Sequence, residues 1–420
     1  MLNECPANHD LVLEGLAKIC IPSIELYKRP DGVYEPSWAP IFYNPEMVEN
    51  RDITIAVLYT TMAQTTRGER DFVFVDPMAA TGVRSIRFVL EVGEQLRRPL
   101  HIYIGEISST AIDVIKHNLR INKINNFSNV NISINLMDAN EHVYYLKRND
   151  VAIDYIDVDP FGSPAPYIHS AIASIRRGGL IGVTATDVAV LEGKYSNTLL
   201  RRYGIKGTKT QISKEIATRA LLSFLLRVAA IYDRFIEPIV SYQFKHYVRT
   251  FIKVFESASK ADYYISKCIG KAWHCPFCGY SFFEAIDEKS VQRSCPICGG
   301  SMVSIEPLWI CNLNNTHYIK SVYLNATGMQ WLRKDSLNIL SILSESEYES
   351  PTIRISQLAK KLKINIPPIS LVISCLKEHG SEAHRSIFYD DGIVTNAPAE
   401  LVIRCIKSTS KSGSSSYNTQ

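Results

Sequence analysis

Between Asp71 and Asp187 short β-rich runs alternate with segments of helical period, and this alternation limits the fold more than any other feature of the chain. The strands read as Phe72 to Val75, His101 to Glu106, Asn131 to Ile134, Ala152 to Asp159 and Leu180 to Asp187. Between them lie VRSIRFVLEVG, SSTAIDVIKHNLRIN and PYIHSAIASIRRG, whose apolar residues recur at three- and four-residue spacings. Gly178 and Gly179 read as the C-terminal break of the last of these helices. Strands apolar on both faces, joined by helical crossovers, predict an α/β fold with a doubly wound, mostly parallel sheet. Ligands of such sheets bind outside the carboxyl ends of the strands. The polar residues at those ends are Asp76, Glu106, Asp138, Asp159 and Asp187.

The turn after the first strand, DPMAATGVRSIR, carries Ala79, Ala80 and Gly82, small residues that let a ligand approach the backbone. Only one glycine of a G-x-G-x-x-G fingerprint is present, which argues against a nicotinamide dehydrogenase. Glu106 ends the second strand, where an acid accepts hydrogen bonds from ribose hydroxyls. DPFGSP, Asp159 to Pro164, ends the fourth strand. Amino-group methyltransferases carry an Asp or Asn, a Pro and an aromatic residue at this place. An exocyclic base amine is a poor nucleophile because its lone pair is delocalised into the ring. Acceptors for its N–H groups draw the nitrogen towards sp3 and free that pair for in-line attack. The Asp159 carboxylate and the Pro160 carbonyl suit that task, and Phe161 suits stacking on the base.

The second half holds WHCPFCGY and SCPICGG, in which Cys275, Cys278, Cys295 and Cys298 form two C-x-x-C pairs with 16 residues between them. Two such turns present four thiolates as a tetrahedron, the closed geometry of a structural zinc site. Cys5, Cys20, Cys268, Cys311, Cys375 and Cys405 lack partner spacing and are expected to be unpaired core or incidental residues. The stretch from Lys194 to Arg219 holds seven basic residues and one acid, an excess of +6 against +4 for all 420 residues, which is the electrostatic footprint of a phosphate backbone. A boundary is expected near Ser257 to Asp262. Beyond it, SQLAKKLKINIPPISLVISCLKEHG reads as helix, Pro367–Pro368 break, helix, either a winged-helix-like unit or a packing pair. The tail from Lys407 is Ser-rich and expected to be disordered. Ala220 to Ile231 is too short for a membrane span and contains Arg227, and the first residues show no secretory signal. The expectation is a cytoplasmic protein with no obligate protein partner.

FYNPEMVENRDIT, DPMAATGVRSIRF, GEISSTAI, LMDAN, DPFGSP, VTATDVAVLEGKY, HYVRTFIKV, the paired C-x-x-C and GIVTNAP run from about Glu14 to Ile406. Together they resemble the archaeal tRNA (guanine-26-N2)-dimethyltransferase family. The resemblance implies a class I methyltransferase fold, S-adenosylmethionine as donor and guanine N2 in tRNA as acceptor, methylated once or twice. It implies Arg51 and Arg84 as cofactor contacts, without saying which meets the methionine carboxylate. It places Glu106 on the ribose, where relatives more often carry Asp, and Asp138 with Ala139 near the adenine. Asp187 and His246 fit either RNA positioning or a structural hydrogen bond. The implied organisation is a methyltransferase domain over residues 1–258 and a tRNA-binding domain over 259–406 with its zinc module at 275–298. An adenine-N6 methyltransferase and a zinc-ribbon DNA-binding regulator are the competing readings.

Overall fold

The computed structural model describes residues 5–64, 71–93, 95, 98–286, 293–347 and 349–412. The chain opens with a hairpin of β1 (His9–Glu14) and β2 (Ala17–Pro22). Then follow β3 (Phe72–Asp76), β4 (Leu100–Glu106), β5 (Val130–Leu136), β6 (Ile153–Val158) and β7 (Ile175–Ala185). After them come β8 (Arg234–Phe244) and β9 (Tyr247–Glu256), an antiparallel hairpin. These last seven strands form one sheet in the order β5-β4-β3-β6-β7-β9-β8. The pairs β3·β4, β4·β5, β3·β6 and β6·β7 are parallel, as the apolar strands and crossover helices required.

The order reverses at β3: the chain winds outward through β4 and β5, then returns to lay β6 on the other side of β3. The crevice of a doubly wound sheet opens at that switch point. Here it lies between the carboxyl ends of β3 and β6. All five residues of β3 and all six of β6 are buried, including Asp154 and Asp157, and Phe74 packs edge-on against Phe88 and tilted against Tyr155.

Two expectations fail here for local reasons. The helix before β7 is Ile168–Ser174, and Gly178 and Gly179 lie inside β7 rather than ending a helix. In the pairing, Ile153 opposes Ile175 while Tyr155 opposes Leu180, so residues 176–179 bulge from the ladder. Gly178 supplies the positive φ, +73°, that such a bulge needs. At the other end, a helix spans Ala399–Ser412, so the tail expected to be disordered from Lys407 begins as helix, and residues 413–420 lie outside the described ones.

The residues group into two compact units, one of Met1–Pro160, Pro166–Val183 and Lys320–Leu340, the other of Phe161–Ala165, Thr184–Ile319 and Ser341–Gln420. In the first, Asn118 in the helix Ser109–Ile121 exchanges hydrogen bonds with the Cys20 backbone and donates to the Thr81 carbonyl at 2.9 Å, joining the β1–β2 hairpin to the turn after β3. A buried ionic hub surrounds Arg87, which meets Glu14, Asp52 and Glu91 at 2.7–3.0 Å. Burial by itself would raise the Glu14 carboxyl, but the charges and hydrogen bonds of Arg51 and Arg87 outweigh it and hold the group at about 2.

The second unit adds β10 (Ile269–His274), β11 (Ser281–Ala285) and β12 (Val303–Trp309) as a sheet in the order β11-β10-β12. A third sheet, β13-β15-β14, is built from β13 (Ile353–Arg354), β14 (Ala383–Arg385) and β15 (Gly392–Thr395). The helices Ile355–Leu362 and Ile369–Glu378 flank the Pro367–Pro368 break where the sequence put it. Arg219, counted above among the basic residues of a charged surface, is buried: it pairs with Glu215 at 2.7 Å and donates to the Trp309 and Cys311 carbonyls. The exposed basic set is therefore Lys194, Arg201, Arg202, Lys206, Lys209 and Lys214.

Six cysteines depart from the sequence reading. Cys5–Cys20, Cys268–Cys311 and Cys375–Cys405 are disulfides, with Cα separations of 5.5, 5.0 and 5.7 Å. The partners stand 15, 43 and 30 residues apart in the chain, so folding creates proximities that no short spacing reveals. No described helix is long and apolar enough to cross a membrane.

Candidate active site and cysteine centre

The turn Asp76–Gly82 leaves β3 and reverses within a few residues, which puts Ala80 and Gly82 in the left-handed region at φ of 49° and 76°. Gly82 then caps the helix that begins at Val83. The turn is fixed from the next strand: Glu106 Oε2 accepts from the Ala80 N–H at 2.9 Å, and Oε1 accepts from the Ile107 and Ser108 N–H groups. Each carboxylate oxygen keeps lone-pair capacity for further donors such as sugar hydroxyls. The Thr81 hydroxyl in the same turn is buried without a hydrogen-bond partner among the described residues. The turn and its acid thus fit a nucleoside bound across the ends of β3 and β4.

Asp138 accepts from the Asn140 and Glu141 N–H groups through one oxygen and caps the helix Ala139–Arg148, while Ala139 is buried. Oδ2 remains outside this cap.

Arg84 lies at the switch point. Its Nη1 donates to Thr54 Oγ1 at 2.9 Å, its Nη2 donates to Asn50 Oδ1 at 3.1 Å and to Asp159 Oδ2, and Nε lies 3.3 Å from Asp157 Oδ1. One buried guanidinium thus holds the carboxylate that the sequence singled out for chemistry. It touches Oδ2 only, and Asp159 Oδ1 has no partner among the described residues. Asp159 is partly exposed and Pro160 is buried. Below them Asp76 accepts from the Ser85 hydroxyl at 2.8 Å. Burial, reinforced by the neighbouring Asp157 carboxylate, pushes Asp76 up to about 7 despite the Arg84 charge.

Arg51 sits in the helix Val48–Ala63 and forms a two-pronged pair with Glu14, Nε to Oε1 at 2.6 Å and Nη2 to Oε2 at 2.7 Å. Nη2 also donates to the Asn44 carbonyl, and Nη1 makes no hydrogen bond among the described residues. Sequence reasoning missed Glu14, Asp157, Asn50 and Thr54 as the partners of the two arginines. The last two were visible in NRDIT, one turn apart on the face that carries Arg51's neighbours.

In the second unit Phe161 is 75% exposed. Gly162, at φ 96°, is clamped by Thr186: its N–H donates to Thr186 Oγ1 at 2.7 Å and its carbonyl accepts from the Thr186 N–H at 2.9 Å. Asp187 accepts from Tyr203 and Arg202, and His246 is exposed in the turn between β8 and β9.

Cys275, Cys278, Cys295 and Cys298 are free thiols whose sulfurs all lie within 4.8 Å of one another. Cys275 and Cys298 approach to 3.5 Å, as do Cys278 and Cys295. Four sulfurs about 2.3 Å from a tetrahedral metal would stand about 3.8 Å apart. The two turns repeat one geometry: Cys275 N donates to Tyr280 O while Gly279 N donates to Cys275 O, and Cys295, Gly299 and Gly300 reproduce the pattern at 2.8 Å. Gly279 and Gly299 take positive φ, and the N–H groups of Tyr280 and Gly300 turn towards the Cys278 and Cys298 sulfurs. This donor set fits a structural metal of zinc's type. Three of these cysteines share a core with Ile355, Leu358, Val372 and Leu376 of the two helices that follow.

The family described as N2,N2-dimethylguanosine tRNA methyltransferase matches residues 17–407. A tRNA (guanine(26)-N(2))-dimethyltransferase of Metallosphaera sedula is 33% identical over 402 residues, 95% of this chain and 97% of its own. One from Saccharolobus islandicus is 35% identical over 405 residues, covering 94% and 98%. Among solved structures, Trm1 from Pyrococcus horikoshii in complex with S-adenosyl-L-methionine matches with a TM-score of 0.78 and 30% identity over 94% of this chain and 99% of that one. With a near-complete family match and relatives of this identity at both sequence and structure level, the chain belongs to the N2,N2-dimethylguanosine tRNA methyltransferase family.

Proposed function

We infer that the chain methylates the exocyclic N2 of guanine 26 in cytoplasmic tRNA, once or twice, with S-adenosylmethionine as donor, giving N2,N2-dimethylguanosine. The observation that carries this is the half-engaged carboxylate of Asp159: Arg84 fixes Oδ2 and leaves Oδ1 to accept an N–H of the base. The Pro160 carbonyl is the second acceptor, and the exposed Phe161 ring supplies the stacking face. S-adenosylmethionine, when bound, supplies a methyl group activated on a sulfonium. The chain's own part is to hold the amine in line with that methyl and to receive the proton the amine releases, at Asp159 Oδ1 or into solvent.

Glu106 binds the ribose hydroxyls, and Asp138 with Ala139 lines the adenine. Arg51 keeps both hydrogens of Nη1, whereas Arg84 keeps one, so Arg51 is the better placed donor for a methionine carboxylate. Cys275, Cys278, Cys295 and Cys298 hold a structural zinc, which fixes the fold and takes no part in methyl transfer. The β13-β15-β14 sheet with its two helices forms a winged-helix-like unit within a C-terminal tRNA-gripping region, taken as residues 259–406 after a methyltransferase region of 1–258.

The test is unmodified tRNA transcript incubated with protein and donor, then digested and analysed by mass spectrometry for N2-methyl- and N2,N2-dimethylguanosine. Methylated adenosine, or no methylation by a folded donor-binding protein, overturns the assignment. D159A is expected to lower turnover by at least about 100-fold with donor affinity within a few-fold. D159N, which keeps an oxygen for Arg84, separates loss of the base acceptor from loss of the Arg84 pair.

A further inference from the structure

The residues that follow Asp159 and Pro160 are tied to the basic end of the helix Ser196–Tyr203 by an unbroken chain of hydrogen bonds. Ser163 Oγ lies 2.7 Å from the Tyr203 hydroxyl, and Tyr203 donates to Asp187 Oδ1 at 2.8 Å. Tyr203 has one hydrogen, and a carboxylate can only accept, so that hydrogen goes to Asp187. Ser163 must therefore donate to the phenolic oxygen, and the directions of the whole chain are fixed. Arg202 Nη1 completes it at Asp187 Oδ2, 3.1 Å away. Tyr203 is buried, packs edge-on against Phe224 and is kept protonated by burial and the adjacent Asp187 charge. Its place is the last turn of the helix Ser196–Tyr203, whose Arg201 and Arg202 side chains are exposed.

Beside that helix stand Lys194 and Tyr195, the latter 52% exposed with the Lys194 ammonium 5.6 Å from its ring centre. Exposed cations interleaved with an exposed aromatic ring suit a phosphate backbone with an unstacked base. Phe161 belongs to this same unit, and Gly162 between it and Ser163 is locked to Thr186.

The geometry points to Tyr203 and Asp187 as positioning residues that set the Phe161–Ser163 loop against the cationic helix Ser196–Tyr203, which docks the RNA backbone flanking the target guanine. RNA held by Arg201, Arg202 and Lys194 is thereby registered to the ring on which the flipped base stacks. This rests on the tRNA guanine reading above and adds to it the docking surface and the residues that couple it to the base.

Y203F removes only the link. It is expected to lower kcat on tRNA transcript about 10–100-fold, the loss typical of a reactant misplaced by about an ångström, with donor affinity unchanged within twofold. S163A breaks the same chain from the other end and should give the same kinetic split. D187N keeps an acceptor for Tyr203 and should retain most of the turnover that D187A loses. R201Q should weaken tRNA binding and reduce the slope of log K against log salt by about one, since it deletes one phosphate contact. Wild-type kcat for Y203F and S163A, with lowered thermal stability alone, would reduce the network to packing and overturn the proposal. An unchanged salt slope in R201Q would remove the docking surface. A wild-type protein that yields no N2-methylated guanosine defeats the substrate reading itself, which is a different result from either.

Discussion

At the ends of β3 and β6 three carboxylates, Asp76, Asp157 and Asp159, crowd around the Arg84 guanidinium, while at the paired turns four sulfurs converge with backbone N–H groups directed at them. Both places gather groups that are costly to bury in ionised form. At the strand ends the cost is met from within the chain, by the Arg84 guanidinium on Asp157 and Asp159 and by the proton that burial keeps on Asp76, and Asp159 Oδ1 has no partner among the described residues. At the turns every sulfur faces inward, and burial pushes the Cys278 and Cys295 thiols up. An ion pair network completed by its own residues can present a reactive atom. A closed set of four thiols is complete only with a metal, and then presents nothing.

The largest expected effect tests the second half of that comparison. Removing metal with a strong chelator, or C275S, should take away apparent folding energy of about 10 kcal/mol from the region that contains the cysteines. Limited proteolysis should then cut residues 269–412 first, with donor binding retained. An unchanged melting profile would show that the sulfurs need no ion.

Next comes the ionic hub. E14A leaves Arg51 and Arg87 buried with a partner missing and should cost about 3–5 kcal/mol in a denaturant titration. Because Glu14 is held at about 2 against an ordinary 4.5, its contribution is complete above pH 4.5 and is lost as the pH falls towards 2. Acid unfolding should therefore begin higher in E14Q than in the parent. If the two curves coincide, the pair is not what stabilises this corner.

The disulfides come third. Reducing Cys268–Cys311, which closes a span of 43 residues, should cost about 2–4 kcal/mol, read as a lower Tm in dithiothreitol and reproduced without reductant by C268S.

The smallest effect has the opposite sign to Glu14. Asp76 keeps its proton up to about 7 in the fold but loses it near 3.8 when unfolded, so it makes the protein less stable as pH rises from about 4 to 7 and adds no further change above that. D76N should abolish this slope and exceed the parent's stability at pH 8 by about 2–3 kcal/mol more than at pH 5. Parallel pH profiles for the two proteins would mean that Asp76 is already ionised at neutral pH.

The parallel strands and the acids at their carboxyl ends were legible because a parallel sheet covered on both faces writes itself as apolar runs with acids at the ends. DPFGSP and the cysteine turns were legible because their chemistry needs neighbours in the chain. What could not be read depends on distance folded away. Glu14 lies in a hairpin 37 residues before Arg51, and nothing local distinguishes it from a surface acid. Arg219 belongs to a basic stretch by composition but is buried by its helix against the Trp309 carbonyl. Gly178 and Gly179 resemble a helix stop because bulges and caps make the same demand on φ, and only the pairing of β6 with β7 tells them apart.

The sharing of one core by Cys275, Cys278 and Cys295 with the helices around Leu358 and Leu376 bears on how the protein matures. With zinc at the cysteines, metal uptake and consolidation of the C-terminal helices become a single event during biogenesis. A cell short of zinc would then accumulate a chain whose parallel sheet is sound and whose C-terminal helices are unfinished, so supply of the metal, rather than synthesis of the polypeptide, would set the amount of working enzyme.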